Sequence, residues 1–203
     1  MKAALKKTPV LVFSVILFSA GCLQHKAVLK GRFLLDVQRD SRSVQTTPES
    51  ILAVQPFSIA PAFANKGIVL RTGGNQYESD FYNEYFISPA PMMTEQTRRW
   101  LSESGLFAQV LLPVSSVEPT HVLEGHIQQI VLDSSDLDAP RAELKIAFFL
   151  LEQHKRDRTV RIQQTYSVSH AMESGSMQDY MAAQSRCLRD ILAKLESDLA
   201  SNL

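Results

Sequence analysis

The sequence of 203 residues holds two thiols, Cys22 and Cys187, and five histidines. With the carboxylates and hydroxyls, these are where chemistry would have to begin. His121 and His126 are an odd number of residues apart on one expected strand, so they face opposite ways and cannot chelate together. Asp133, Asp136 and Asp138 gather in one expected loop. Calcium would want more oxygen ligands at ordered spacing and a glycine turn, so these three read as a solvated loop and not a metal site. No His-x-x-x-His, Cys-x-x-Cys or Gly-x-Ser-x-Gly pattern occurs. Gly73-Gly74 lacks the Lys-Ser/Thr that a phosphate loop needs. No catalytic residue, metal or cofactor is expected on this reading. A hydrolase with a dispersed active site stays open as an alternative, because triads assemble across a fold and not along a sequence.

Cys22 is different. Lys2, Lys6 and Lys7 open the chain, an apolar run follows from Val10 to Phe18, and Ser19-Ala20-Gly21-Cys22 closes it. A charged start, an apolar middle and small residues before a cut form a secretory signal. The run is well short of the roughly 20 residues a spanning helix needs. Ala-Gly-Cys resembles a bacterial lipobox, in which the cysteine thiol takes a diacylglyceryl group and becomes the new N-terminus. Ser19 departs from the usual leucine of that pattern, while Leu17 and Phe18 keep the site apolar. The organisation expected is a signal peptide over 1–21, a lipidated N-terminus and short tether over 22–32, and one periplasmic domain over 33–203. Leu23 stands where aspartate would resemble an inner-membrane retention signal. The resemblance therefore implies an anchor in the outer membrane, facing the periplasm and holding the protein to phospholipid through palmitate-type acyl chains.

Composition is consistent with this. The mature chain has 18 basic against 21 acidic residues, a net charge of −3. No patch is strongly basic, which argues against nucleic acid as a partner. Its apolar content suits a globular domain. With Cys22 linked to lipid, Cys187 has no partner for an internal disulfide.

The elements that must position any site follow from periodicity. Phe33–Val37 reads as a first strand and 38–50 as a polar loop. Ile51–Ile59 is an apolar run interrupted by Pro56, which marks a strand end or an edge. Gly67–Thr72 leads into Gly73-Gly74-Asn75, a hairpin turn. Met92–Ser104 is a helix, with Thr94 as its cap, Glu95 in its first turn, Met93, Thr97, Trp100 and Leu101 on one face, and Gly105 as its stop. Trp100 is expected to plug the space between helix and sheet. A strand over 106–112 completes half of a βαβ-like unit. Strands over 121–133, 142–152 and 159–170, joined by polar links, read as an antiparallel meander. From Ser176, with Asp179 completing a capping-box-like start, one apolar stripe runs to Leu199 on a long helix, with Cys187 beside it as a small buried hydrophobe. The fold expected is a single α/β (α+β) domain: a mixed or mainly antiparallel sheet with two principal helices packed mainly on one face.

The succession of lipobox, Ile-Leu-Ala-Val-Gln-Pro, hairpin, Thr-Arg-Arg-Trp-Leu helix ending in Gly-Leu-Phe, three long strands and a final helix resembles a known family. It is similar to the ABC-type transport auxiliary lipoproteins, the PqiC-like partners of MCE-domain lipid transport systems. The likeness spans the mature chain and is most specific from Tyr77 through Phe107. It implies a non-enzymatic component that helps an MCE-domain protein move lipid between membranes. The alternative is a lipoprotein that assembles with an outer-membrane β-barrel or handles lipid or lipopolysaccharide.

Tyr77, Phe81, Tyr82, Tyr85 and Phe86 crowd ahead of the first helix. Strand alternation would put Phe81 and Tyr85 on one face and Tyr82 and Phe86 on the other. One pair would enter the core. The other would be covered by the C-terminal helix, a second subunit or an MCE partner. Phe81, Tyr82, Tyr85 and Phe86 are thus the candidate interface of an oligomeric collar or adaptor.

Overall fold

The computed structural model describes residues 29–39, 47–155 and 157–203. The signal segment and Cys22 lie outside them. Among the described residues, nine strands form one mixed sheet and two helices pack on it, in a single α+β domain.

The sheet is built around β7 (His121–Asp133), a 13-residue strand. On one side β7 pairs antiparallel along its length with β8 (Arg141–His154), which pairs in turn with β9 (Asp157–Ala171). On its other side three short strands add in parallel, one after another. β2 (Thr47–Val54) meets its start, with Leu52 opposite His121. β3 (Ser58–Ile59) meets its middle, with Ser58 opposite His126. β4 (Gly67–Gly73) meets its end, with Leu70 opposite Leu132.

Pro56 explains the break between β2 and β3. It has no N–H to give to the ladder. The neighbouring Gln55 N–H still donates to the Leu123 carbonyl at 2.9 Å, but the Phe57 N–H turns away to the Thr94 hydroxyl at 2.9 Å. Phe57 then lies over Gly125 of β7, where a β-carbon would stand only 2.6 Å from its ring. The same ring meets Phe148 edge-on at 5.5 Å.

Two wings hang from this spine. In the first, β2 also pairs in parallel with β6 (Phe107–Leu111). In the second, β4 turns at Gly73-Gly74 into β5 (Gln76–Tyr85), which pairs in parallel with β1 (Gly31–Phe33) at the outer edge. Gly74 has φ 55°, the left-handed backbone that favours glycine in a tight hairpin.

Helix α1 (Pro89–Ser104) packs over β6 and β2, while α2 (Met177–Asn202) lies across β8 and β9. The stripe on α2 is buried from Tyr180 through Leu188, Ile191, Leu192 and Leu195 to Leu199. It meets the β8 row Ala142, Leu144, Ile146, Phe148 and Leu150, all of them buried. The helices meet near the end of α2. Trp100 of α1 is buried, and its Nε1–H donates to Glu196 Oε2 at 2.7 Å. Arg39 reaches the same carboxylate with Nε at 2.9 Å and Nη2 at 2.5 Å, and its guanidinium lies 5.7 Å from the indole centre.

Several expectations are corrected. The first strand ends at Phe33 and does not run to Val37. Beyond it the chain is held by α1 and not by a strand: Val37 N–H donates to Gln96 Oε1 at 3.2 Å, and Gln96 Nε2–H donates to the Leu35 carbonyl at 3.0 Å. The polar loop expected over 38–50 gives way to β2 at Thr47. Helix α1 starts at Pro89, three residues early, with Ser88 and not Thr94 at the cap. Proline fits there because the first helical N–H needs no partner and its φ is preset. The Thr94 hydroxyl instead donates back to the Ala90 carbonyl at 2.8 Å. Glu95 lies beyond the first turn and pairs with Arg98. Trp100 is buried in the core, and Glu196 and Arg39 in addition give its indole polar partners that the sequence did not show. The meander, the Gly105 stop at φ 76° and the Ser176 cap, whose hydroxyl accepts from the Asp179 N–H at 3.2 Å, stand as read.

Trp100→Ala removes a large buried ring and leaves Glu196 without one of its donors. The expected cost is on the order of 3–5 kcal/mol in urea unfolding. A second expectation concerns acid. Arg71 Nη2–H donates to Asp133 Oδ2 at 2.5 Å and to Glu143 Oε1 at 2.9 Å, tying β4, β7 and β8 together. That guanidinium holds the Asp133 carboxyl far below the usual carboxylate range, against a smaller opposing effect of burial. A depressed folded pKa stabilises above the unfolded value near 4 and is lost as pH falls through the folded one. Asp133→Asn should therefore cost about 1–2 kcal/mol at neutral pH. It should also flatten the fall in stability below pH 4, as read by unfolding across a pH series.

Candidate functional site

The aromatic stretch does not alternate as a regular strand would. Val69 of β4 pairs with Ser79, yet Gly67 pairs with Glu84, so the residues between Ser79 and Glu84 bulge outward. Asp80 builds the bulge. Its Oδ1 accepts from the Tyr82 and Asn83 N–H groups, both at 2.7 Å, and its Oδ2 accepts from Asn83 Nδ2–H at 3.1 Å. One short carboxylate thus satisfies two backbone donors that the ladder has released.

The consequence is a corrected pairing. Tyr85 alone enters the core at 1% exposure, while Phe81 is 61%, Tyr82 64% and Phe86 52% exposed. Phe81 and Tyr82 stand together, ring centres 5.2 Å apart and nearly perpendicular at 88°. Two adjacent aromatics on the same side is the outcome that strict alternation forbids, and the bulge allows it. Phe86 follows the strand, where its N–H donates to the Phe33 carbonyl at 2.7 Å.

Tyr85 is held where it is by a buried partner. Its hydroxyl lies 3.0 Å from that of Tyr180 on α2, and burial pushes both phenols above their ordinary pKa. Of the four candidate interface residues, the structure therefore leaves Phe81, Tyr82 and Phe86 on the surface and gives Tyr85 to the core.

The base of the N-terminal segment meets this knuckle. Lys30 Nζ sits 5.9 Å from the Phe81 ring centre and 3.3 Å from Glu84, and Arg32 Nε is 3.1 Å from the same carboxylate. Gly31 allows this close approach, since a β-carbon there would stand 2.7 Å from Asn83 Oδ1 and push that side chain aside. Neither Asp80 nor Lys30 was picked out by sequence reading. An aspartate two residues before an aromatic-Asn pair is a local turn signal that could have exposed the first; the Lys30 contact spans more than fifty positions and left none.

At the first wing, Val54, Pro56, Leu111, Pro113, Val117 and Pro119 line an open cleft of about 390 Å³, with Arg158 among its polar members. Elsewhere several polar groups are engaged structurally. His170 Nε2 lies 2.8 Å from Asp190 Oδ2. Cys187 is buried, its thiol directed to the Ala142 carbonyl at 3.5 Å, and burial pushes its pKa up to about 12. A thiol held protonated is a poor nucleophile. His121 and His126 sit beside Thr120 and Ser58 respectively, and Asp133 is bound to Arg71. Among the described residues, no group of three or more His, Cys, Asp or Glu could hold a metal ion.

Residues 33–196 match the model of the ABC-type transport auxiliary lipoprotein component family. The chain belongs to that family. Protein XCC0632 from Xanthomonas campestris has a similar structure, with TM-score 0.71 and 17% identity over 84% of this chain and 95% of that one. Protein CT253 from Chlamydia trachomatis superposes with TM-score 0.53 and 12% identity over 75% of this chain and 99% of that one. At these identities the likeness is one of fold. No curated protein matches this chain. The family supports an auxiliary, transport-associated role for the protein.

Phe81→Ser combined with Tyr82→Ser should leave the domain folded, within about 0.5 kcal/mol of the parent in urea unfolding, since both rings already meet water. Tyr85→Phe should cost about 1–3 kcal/mol, because the Tyr180 hydroxyl loses its partner in a fully buried site.

Proposed function

We propose that the protein is a lipid-anchored, non-enzymatic component of an ABC-type system that moves lipid between membranes, with an MCE-domain protein as its partner. The observation that carries this is the family match over residues 33–196, which takes in all but the outermost strand of the sheet, all of α1 and all but the last six residues of α2. The lipobox-like Ala20-Gly21-Cys22 supports attachment through Cys22, and Leu23 supports the outer membrane, with the domain in the periplasm. The MCE partner rests on the order of motifs from Tyr77 to Phe107.

The anchor limits where the domain works. Ten residues separate Cys22 from Arg32, and an extended chain of that length spans at most about 35 Å. The domain therefore stays close to the bilayer and serves as an adaptor beside it, with assembly into a homo-oligomeric collar as the second part of the proposal. The exposed knuckle Phe81–Tyr82, with Phe86, and the apolar cleft at the first wing are surfaces that such an adaptor would use. No bound cofactor is required.

Two measurements test this. Cys22→Ala should abolish incorporation of labelled fatty acid and release the protein from outer-membrane fractions or leave it as an uncleaved precursor. Normal maturation and retention of that variant would overturn the anchor. Pull-down of the parent from solubilised membranes, read by mass spectrometry of proteins and lipids, should recover an MCE-domain protein. Recovery of a β-barrel instead would favour the other lipoprotein role, and turnover of an ester substrate would favour a hydrolase.

A further inference from the structure

We infer that the Phe81–Tyr82 knuckle is a membrane-contacting element, which lies in the headgroup boundary of the bilayer that holds the anchor and fixes the domain's orientation there. The inference rests on the proposed lipid attachment at Cys22.

Four observations converge on this surface. The first is position. Residue 29 is seven residues from Cys22, so the lipidated end stands within about 25 Å of it. Residue 30 already touches the knuckle, with Lys30 Nζ 5.9 Å from the Phe81 ring. The described part of the chain thus departs toward its anchor alongside these rings.

The second is composition. Phe81 and Tyr82 are 61% and 64% exposed, and Leu29 beside the path to the anchor is 94% exposed. A tyrosine ring with its polar tip suits the interface between headgroups and acyl chains, Phe81 adds an apolar ring beside it, and lysine stems extend toward the interface while the charge stays in water.

The third is backbone satisfaction. An irregular bulge entering a lipid boundary must not bring free N–H groups with it. Asp80 removes that obstacle by accepting from the Tyr82 and Asn83 N–H groups, and its own carboxylate is thereby already bonded.

The fourth is charge. Lys30 and Arg32 share Glu84, so with Asp80 the cluster balances to zero. An apolar surface neutral overall is neither drawn to nor repelled by an anionic leaflet. It adds apolar contact to an anchor that already supplies the attachment. The effect expected is therefore on orientation and not on whether the protein binds.

The test uses the mature lipoprotein in vesicles of phosphatidylethanolamine and phosphatidylglycerol. A nitroxide is placed at Tyr82→Cys and, separately, at Val114→Cys, which is 91% exposed in the loop after β6. The Cys22 thiol is taken by its lipid and Cys187 is buried, so neither competes for the label. Flotation reports attachment, and collision with oxygen and with an aqueous nickel chelate reports depth.

The expected result is a vesicle-bound protein whose label at 82 meets oxygen and is shielded from nickel, while the label at 114 remains in water. Equal nickel access at both positions in a bound protein would overturn the knuckle's role and leave the anchor intact. Shielding of position 82 from both reagents, with spin–spin broadening between molecules, would overturn it in favour of a second copy covering the knuckle. Failure to float would overturn the anchor and this inference together. A further arm, Phe81→Ser in the labelled protein, should return the label at 82 toward water without reducing flotation.

Discussion

A 13-residue strand placed inside a sheet must find hydrogen-bond partners on both edges for every residue, and β7 meets that demand asymmetrically. One edge is served by a single long partner, β8, reached through a polar turn. The other edge is served in instalments by β2, β3 and β4, each ending where a local residue prevents it from continuing. Pro56 ends the first, the turn at Pro61–Phe63 follows the second, and Gly73-Gly74 ends the third. The fork in the sheet, with one wing at each end of β7, follows from this arrangement.

The fork sets what the helices must do. Wings that touch the spine over only two or three residue pairs need further support, and the helices supply it from above. Helix α2 closes the β8 face with a stripe of leucine and isoleucine, and α1 covers the β2–β6 wing. Two polar contacts then fix the remaining pieces: Tyr180 of α2 meets Tyr85 at the end of β5, and Glu196 gathers Arg39 and Trp100. Both lie in places where an unpaired polar atom would be costly, so each fixes geometry more than it adds net stability. The α2 helix thereby holds both the wing that carries the knuckle and the chain that leads away from it.

The knuckle is a product of competition between ladder and side chain. A regular strand would have spread five aromatics over two faces and buried more than one of them. Asp80 instead takes the N–H groups of Tyr82 and Asn83, the ladder gives way, and two rings are left on one side in water. Such a surface has a use only where something covers it, and its contact with Lys30 places it beside the route to the proposed anchor.

Much of the domain is legible in the residues taken one stretch at a time. Alternation predicts β7, β8 and β9 to within two residues at their ends, because β7 and β8 carry long buried rows and β9 keeps apolar residues at alternate positions, with Tyr166 buried among them. The stripe from Tyr180 to Leu199 and the Gly105 stop are equally direct, since helical period and a left-handed stop are local properties. The lipobox-like signal is local as well. Other features depend on residues far apart in sequence. The Leu35–Val37 segment reads as a strand but is held by Gln96, over fifty positions later. Thr94 reads as a cap but serves the N–H of Phe57. Trp100 reads as a buried plug, and only the fold brings Glu196 and Arg39 to its indole. Tyr85 and Phe81 read as companions on one face, and the register between β4 and β5 separates them. Sequence by itself determined the three long strands and the bodies of both helices, because their periodic burial is written locally. Tertiary structure decided register, polar partners and which aromatics remain in water, because those depend on groups that meet only after the chain has folded.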